Sequence, residues 1–243
     1  MAAKIELRHK VHVLTRKEEL DSVRVPGKVV VVLDIIFATT TMVTALAHGA
    51  KEIVPVLDEK AARACAGDFP GCVLSGELFA ETLSGFAHPA PLALVAHGIE
   101  GKSVIYSTTN GTVAMTQAVG AARVYCGALL NARRLAEHIV QHHPSETVLI
   151  VCSGSGGNFN FEDFYGAGYF VECFLPHVSD LSDAAKAALA LYRQARAPEA
   201  LLDCRVGRMM VGKGLAREVE FACREDAFPI VPVLEAGRVR LAA

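Results

Sequence analysis

Three times in this 243-residue chain an apolar, strand-like run stops at a cluster of small hydroxyl and glycine residues, and a helix-like segment follows. The first run is Val29 to Leu33, ending on Asp34 and passing through Ile35, Ile36, Phe37 and Ala38 to Thr39, Thr40 and Thr41. The second is Val104 to Tyr106, followed by Ser107, Thr108, Thr109, Asn110, Gly111 and Thr112. The third is Val148 to Cys152, followed by Ser153, Gly154, Ser155, Gly156 and Gly157. In an open α/β sheet, ligands gather outside the carboxyl ends of the strands, where helix N-termini offer unpaired N–H groups and partial positive charge. Three such ends together predict a pocket for an anion.

The same alternation runs through the chain. Strands are predicted at 11–14, 28–33, 52–56, 72–74, 103–106, 123–126 and 148–152, interleaved with helices at 17–21, 40–48, 59–66, 112–119 and 132–141. This pattern predicts an α/β fold, a three-layer α/β/α arrangement around a largely parallel or mixed sheet. After Glu162 the texture turns helical, at 163–174 and 181–193, and a β-rich piece at 230–241 has its turn at Ala236 and Gly237. We therefore expect one domain over 1–243, with a helical and β-rich C-terminal portion from about 163. The one long irregular stretch, Ser75 to Pro91, is of the kind that forms lids and binding loops, and it places Glu77 near the same sheet edge.

Charge excludes some partners. A formal net charge of −2 and the lack of a Lys/Arg run leave no electrostatic footprint for a nucleic acid or an anionic membrane. No apolar run approaches the length of a membrane span, and Met1 to Lys10 lacks the apolar stretch of a signal peptide, so a cytoplasmic location is expected. The seven cysteines are odd in number, scattered and free of CxxC pairs, which suits reduced thiols. Cys152 alone stands at a junction. A cytoplasmic enzyme of this size is expected to form a symmetric homodimer.

Among candidate site residues, Asp34 ends a β-branched strand, where a carboxylate is costly to bury without a metal, a cation or hydrogen-bond donors beside it. Its alternative role is to accept hydrogen bonds from the following turn. Thr39, Thr40 and Thr41 suit a phosphoryl oxygen, although one of them would serve as an N-cap. Ser107 to Thr112 reads as a strand-to-helix turn or a ligand cradle. Ser153 to Gly157 lacks both the Lys-Ser/Thr of a P-loop and the GxSxG spacing of a hydrolase elbow. Glu162 and Asp163 suit either a helix N-terminus or a metal. A haloacid-dehalogenase-type site would need a second aspartate two residues after Asp34, where this chain has Ile36.

Together these segments resemble the 2-phosphosulfolactate phosphatases of the coenzyme M pathway. The resemblance lies in Val-Val-Leu-Asp34 with Ala38-Thr-Thr-Thr41, Thr44 to Ala50, Ser107 to Thr112, Gly127 to Asn131 and Val151 to Gly154. It continues through Phe161-Glu-Asp163, Gly166-Ala-Gly168, Asp226 and Val231 to Leu234. It implies an α/β/α fold and Mg²⁺-dependent hydrolysis of a phosphate monoester on a sulfonated hydroxy acid. The chain departs from the family where the family holds arginines. Phe37 stands between the aspartate and the threonines, Leu78 follows Gly76-Glu77, and Gly85 to Pro91 replaces a segment that carries an aspartate. An arginine contact to such an anion contributes about 1.5–3 kcal/mol, so losing two weakens a polyanion on the order of a hundredfold or more.

The expected function is thus a metal-assisted phosphatase acting on a small phosphorylated hydroxy acid or similar metabolite, less charged than 2-phosphosulfolactate. Asp34, Glu77 and Asp163 are the expected catalytic residues and Mg²⁺ ligands. Phe37, Thr39 to Thr41, Ser107 to Thr112, Asn131 and Cys152 to Gly156 are the expected substrate contacts, with Arg133 or Arg134 a source of positive charge. Two alternatives keep the fold: another reaction on a less charged substrate, and non-catalytic binding of a small metabolite. Convergence of the three acids on a metal would separate them.

Overall fold

The computed structural model describes residues 10–178 and 180–242. Its strands are β1 (Lys10–Leu14), β2 (Val29–Leu33), β3 (Glu52–Val56), β4 (Val73–Leu78), β5 (Glu81–Thr82), β6 (Ser103–Ser107), β7 (Arg123–Gly127), β8 (Val148–Cys152), β9 (Asp180–Leu181), β10 (Pro232–Glu235) and β11 (Arg238–Leu241). Its helices are α1 (Ala38–Ala47), α2 (Glu59–Cys65), α3 (Pro91–Ala96), α4 (Gly111–Gln117), α5 (Ala132–His142), α6 (Phe161–Phe174), α7 (Asp183–Gln194), α8 (Glu199–Asp203), α9 (Arg205–Gly212) and α10 (Ala216–Ala222). The expected α/β fold is present, with all eleven strands in one mixed sheet ordered β5-β4-β6-β3-β11-β10-β7-β2-β8-β1-β9. None of the helices among the described residues is long and apolar enough to cross a membrane.

β2 lies inside one parallel block, between β7 and β8. Its five residues are fully buried because both faces are covered. Val29, Val31 and Leu33 meet α5, α6 and α7, whereas Val30 and Val32 meet α1 and α4. In register, Leu33 lies opposite Gly127 of β7 and Cys152 of β8, so three strand ends are level. In the second parallel block Ser107 of β6 pairs with Val56 of β3 and Gly76 of β4.

The C-terminal hairpin joins these blocks, with β10 antiparallel to β7 and β11 antiparallel to β3. Its turn is where the sequence placed it, with Ala236 at φ 47° and Gly237 at φ 75°, the left-handed pair of a tight hairpin. Three antiparallel steps give the two blocks opposite sense, which corrects the expectation that the junctions share one carboxyl edge. In a flat sheet the ends of β2 and β6 would be five strands apart, about 24 Å at the usual spacing. They instead touch through Asp34 and Gly111, so the sheet is strongly curled. The layer of α1, α3 and α4 fills the curl, and one apolar cluster includes Val30, Val124 and Val151 from one block and Ile53, Val104 and Tyr106 from the other. α2 covers the outer face of the second block through Ala62, Val54 and Ile105.

The stretch expected to be irregular holds most of the β4–β5 hairpin and ends where α3 begins, a helix whose first turn is capped by a distant acid. Leu92 and Ala93 donate their N–H groups to the buried Glu218 of α10, at 2.8 and 3.0 Å.

Candidate active site

The three junctions do meet. Ser153 donates its N–H to the Leu33 carbonyl at 2.8 Å, carrying the third junction onto the end of the first. Lys17, which is buried, donates from Nζ to Asn110 Oδ1 at 3.0 Å and to the Ser153 carbonyl at 3.2 Å, tying the second junction to the third. Above them lies a cavity of about 650 Å³. Asp34, Glu77, Thr109, Asn110, Ser155 and Arg205 supply its principal polar groups.

Asp34 leaves β2 and is followed within a turn by α1. Ala38 donates its N–H to Asp34 Oδ1 at 3.2 Å, and Thr39 closes the turn by bonding the Asp34 backbone. The capping role foreseen for Asp34 is therefore filled by one oxygen only. Oδ2 faces Gly111 and takes no hydrogen bond from the described residues. Burial, with the charges of Glu77 and Glu162 nearby, pushes Asp34 up to about 7, against the opposing pull of the Ala38 N–H and Lys17.

Glu77 ends the regular part of β4 and closes a loop. Its Oε1 accepts the Thr109 N–H at 2.6 Å, while Oε2 accepts the Thr109 hydroxyl at 3.0 Å and the Ala80 N–H at 2.6 Å. It pins the β4–β5 hairpin to the second junction while lining the cavity beside Asp34.

Asp163 is placed differently. It is buried, with Oδ1 accepting the Ile35 N–H at 2.9 Å and Oδ2 accepting the Gly154 N–H at 3.0 Å. Burial and the charges of Asp34 and Glu162 hold its carboxyl far above the usual range. Both oxygens thus face backbone, and the residue clamps the first junction to the third from behind the cavity wall. The three acids do not converge on one point, and among the described residues no three His, Cys, Asp or Glu side chains form a metal cluster. Asp34 and Glu77 are the two of these acids that line the cavity, and they are the ones that would hold Mg²⁺, a hard ion that takes one or two carboxylates with water and phosphate oxygens, although both Glu77 oxygens already accept hydrogen bonds. Asp34 Oδ2 is the donor left over for it.

The expected substrate contacts divide. Phe37, Thr108, Thr109, Asn110, Gly154, Ser155 and Gly156 line the cavity. The hydroxyls of Thr39, Thr40 and Thr41 instead satisfy the carbonyls of Asp34, Ile35 and Pro89, because each is buried where an unpaired hydroxyl would be costly. Thr112 Oγ1 bonds the backbone of Thr108 in the same way. Ser107 is a buried strand end, and Gly111 is pressed against Asp34. Asn131 accepts the Ala128 N–H at 2.9 Å and caps the turn after β7. Cys152 lies inside the core, where burial holds its thiol well above the ordinary range, and Ser153 is buried with its hydroxyl unpartnered among the described residues.

The cations are also not those the sequence suggested. Arg133 is tied to Asp226 at 2.9 Å and to the Tyr169 hydroxyl, away from the cavity. Arg205 and Lys213 line it instead, with Met209, Met210 and Leu215 from the same segment. The sequence signal for them was weak, since α8, α9 and α10 are each eight residues or shorter, below the window in which helical periodicity is read.

Known proteins are similar in sequence to this chain along most of its length. A protein of Carboxydothermus hydrogenoformans named probable 2-phosphosulfolactate phosphatase is 34% identical over 234 residues, covering 95% of this chain and 96% of its own. One of the same name from Caldicellulosiruptor saccharolyticus is 35% identical over 204 residues, covering 81% and 84%. Another from Clostridium tetani is 29% identical over 95% of this chain and 99% of its own. The sequence model of 2-phosphosulpholactate phosphatase matches residues 14–237, and the chain belongs to that family.

Proposed function

We propose that this chain is a phosphoric monoester hydrolase acting on a small phosphorylated hydroxy acid in the Asp34–Glu77 cavity. The observation that carries this reading is the Asp34 carboxylate, with one oxygen fixed by the Ala38 N–H and the other left to the cavity beside Glu77. Family membership and the names of the relatives support it.

Hydrolysis forms a bond from a water oxygen to phosphorus and breaks the ester P–O bond, releasing the hydroxy acid and inorganic phosphate. Asp34 and Glu77 are the residues that would hold Mg²⁺, which supplies charge neutralisation for the phosphoryl oxygens when bound. Burial raises the Asp34 carboxyl toward the neutral pH range, so a cation bound beside it would favour its ionised form. The start of α1, at Phe37 and Ala38, turns the positive end of that helix toward the phosphoryl group. Glu77 keeps Thr109 in place, and Asp163 keeps Gly154 in place, so both loops are organised before substrate arrives.

The test is Mg²⁺-dependent phosphate release from a panel of small esters that includes 2-phospholactate and 2-phosphosulfolactate. Release by the wild type that is lost in Asp34→Asn supports the reading. Folded protein that releases phosphate from no ester overturns it.

A further inference from the structure

Two cations line the cavity, and they differ in their partners. Lys213 is bonded to Glu81 of the β4–β5 hairpin, so its charge is already matched. Arg205, the first residue of α9, makes no direct ion pair with a carboxylate among the described residues, although its charge draws the buried Glu162 downward. Its Nη2 donates to Ser155 Oγ and to Asn160 Oδ1, the latter at 2.9 Å, while Ser155 Oγ itself donates to Asn160 Oδ1 at 2.8 Å. Asn160 is buried, so this triangle rests on a fixed point of the third loop. Nε and Nη1 meet no protein acceptor among the described residues. The guanidinium is therefore oriented by one nitrogen and leaves a donor edge for an external anion.

Arg205 is exposed, and the cavity wall that continues from it along α9 is apolar, although Asn158, His88 and Lys213 also line the cavity. Val206, Met209 and Met210 follow on the same helix, with Met209 one turn beyond Arg205 on its face. Phe37 and Leu215 add to this surface. At about 650 Å³ the cavity has the volume of about twenty waters, more than a three-carbon phosphorylated acid fills. Met209 remains 41% exposed, as expected of a wall waiting for an apolar group.

We propose that Arg205, set by Ser155 and Asn160, clamps the carboxylate of the substrate, and that the substituent beside it is an alkyl or aryl group rather than a sulfonate. This rests on the phosphatase reading above and names its substrate class: a phosphorylated 2-hydroxy monocarboxylic acid with an apolar side chain. The phosphate lies toward Asp34 and Glu77, the carboxylate on Arg205, and the side chain against Phe37, Met209 and Met210. A sulfonate in that last place would face methionines and a lysine already paired.

The experiment is calorimetric binding, in the presence of Mg²⁺, of 3-phenyllactate, its neutral analogue 3-phenyllactamide and 3-sulfolactate to the wild type, Arg205→Met and Arg205→Lys. Phosphate release by the wild type from 2-phospho-3-phenyllactate and 2-phosphosulfolactate is measured in parallel. The wild type is expected to bind 3-phenyllactate about tenfold or more tighter than either the amide or 3-sulfolactate. In Arg205→Met the preference for acid over amide falls to near one, and Arg205→Lys recovers only part of it. The proposal is overturned by an acid-to-amide ratio that Arg205→Met leaves unchanged, by tighter binding of 3-sulfolactate, or by no measurable binding of 3-phenyllactate. A binding preference that stands while neither ester releases phosphate overturns the phosphatase reading and leaves the clamp in place.

Discussion

A β-carbon on Gly111 would lie 2.7 Å from Asp34 Oδ2 and 2.4 Å from the Ala38 side chain. The second junction therefore reaches the first only because this position has no side chain. Gly111→Ala is expected to push α1 and Asp34 away from α4, destabilising the fold by about 1–3 kcal/mol as overpacking does. Phosphate release should fall by more than the stability loss explains, because the displaced atom is the free carboxylate oxygen. Denaturant unfolding and steady-state phosphate release, run on the same preparation, check both parts.

The raised pKa of Asp34 sets the sign of a pH effect. The ordinary value is 3.8 and the folded value is about 7, so between these limits the folded chain holds a proton that the unfolded chain has lost. Stability from this group is present below about pH 4 and is lost as pH rises through about 7. Asp163 and Glu162, both raised by burial, act in the same direction, whereas Lys17 opposes the shift. Asp34→Asn is therefore expected to melt progressively higher than the wild type as pH rises from 5 to 8. At pH 8, millimolar Mg²⁺ should raise the wild-type melting temperature and leave Asp34→Asn unmoved, since an ion that binds only the folded state stabilises by mass action. A melting difference that is flat across this range would contradict the first expectation, and an equal Mg²⁺ response in both proteins the second.

The reading of the sequence was sharpest where one strand carries its own pattern. Glu52 to Val56 and Val148 to Cys152 have the expected limits, the latter because an unbroken apolar run between polar flanks leaves little choice. The hairpin turn at Ala236–Gly237 was legible for the same reason. What could not be read was the destination of that hairpin, which sits between β3 and β7 and reverses one block against the other through contacts with residues far away in sequence. The hydroxyl clusters misled in a specific way. A threonine's sequence position does not say whether its hydroxyl turns to a ligand or, as with Thr40 on the Ile35 carbonyl at 2.8 Å, to the backbone beneath it. Arg205 was missed because it lies on a helix of two turns, and its importance depends on Ser155 and Asn160, 50 and 45 residues away.

Asp163 distinguishes a clamp from a metal ligand. Asp163→Asn keeps shape but sets an amide N–H₂ against one of two backbone donors, those of Ile35 and Gly154. An unsatisfied buried donor costs about 1–3 kcal/mol, so the variant is expected to lose that much stability. If Asp163 is only a clamp, the Mg²⁺ concentration for half-maximal phosphate release stays within about twofold of the wild type while KM for the ester rises, because Gly154 lines the cavity. A Mg²⁺ requirement raised by orders of magnitude would instead make Asp163 a ligand.

Lys17 offers the last test, because its three donors are all assigned: Asn110 Oδ1, the Ser153 carbonyl and Glu18 Oε1 at 3.0 Å. The side chain is 7% exposed as a residue and does not line the cavity, so its influence on the reaction passes through the two loops it joins. Lys17→Met keeps much of the stem's packing but leaves both loop acceptors without their donor, at a cost of about 1–3 kcal/mol for each one that water cannot reach. The ammonium is also one of the groups that draws Asp34 downward. Its removal should move the acidic limb of the pH–rate profile to higher pH, a shift that mere loosening of the loops would not produce. A destabilised Lys17→Met enzyme with an unmoved acidic limb would reduce Lys17 to a structural tie.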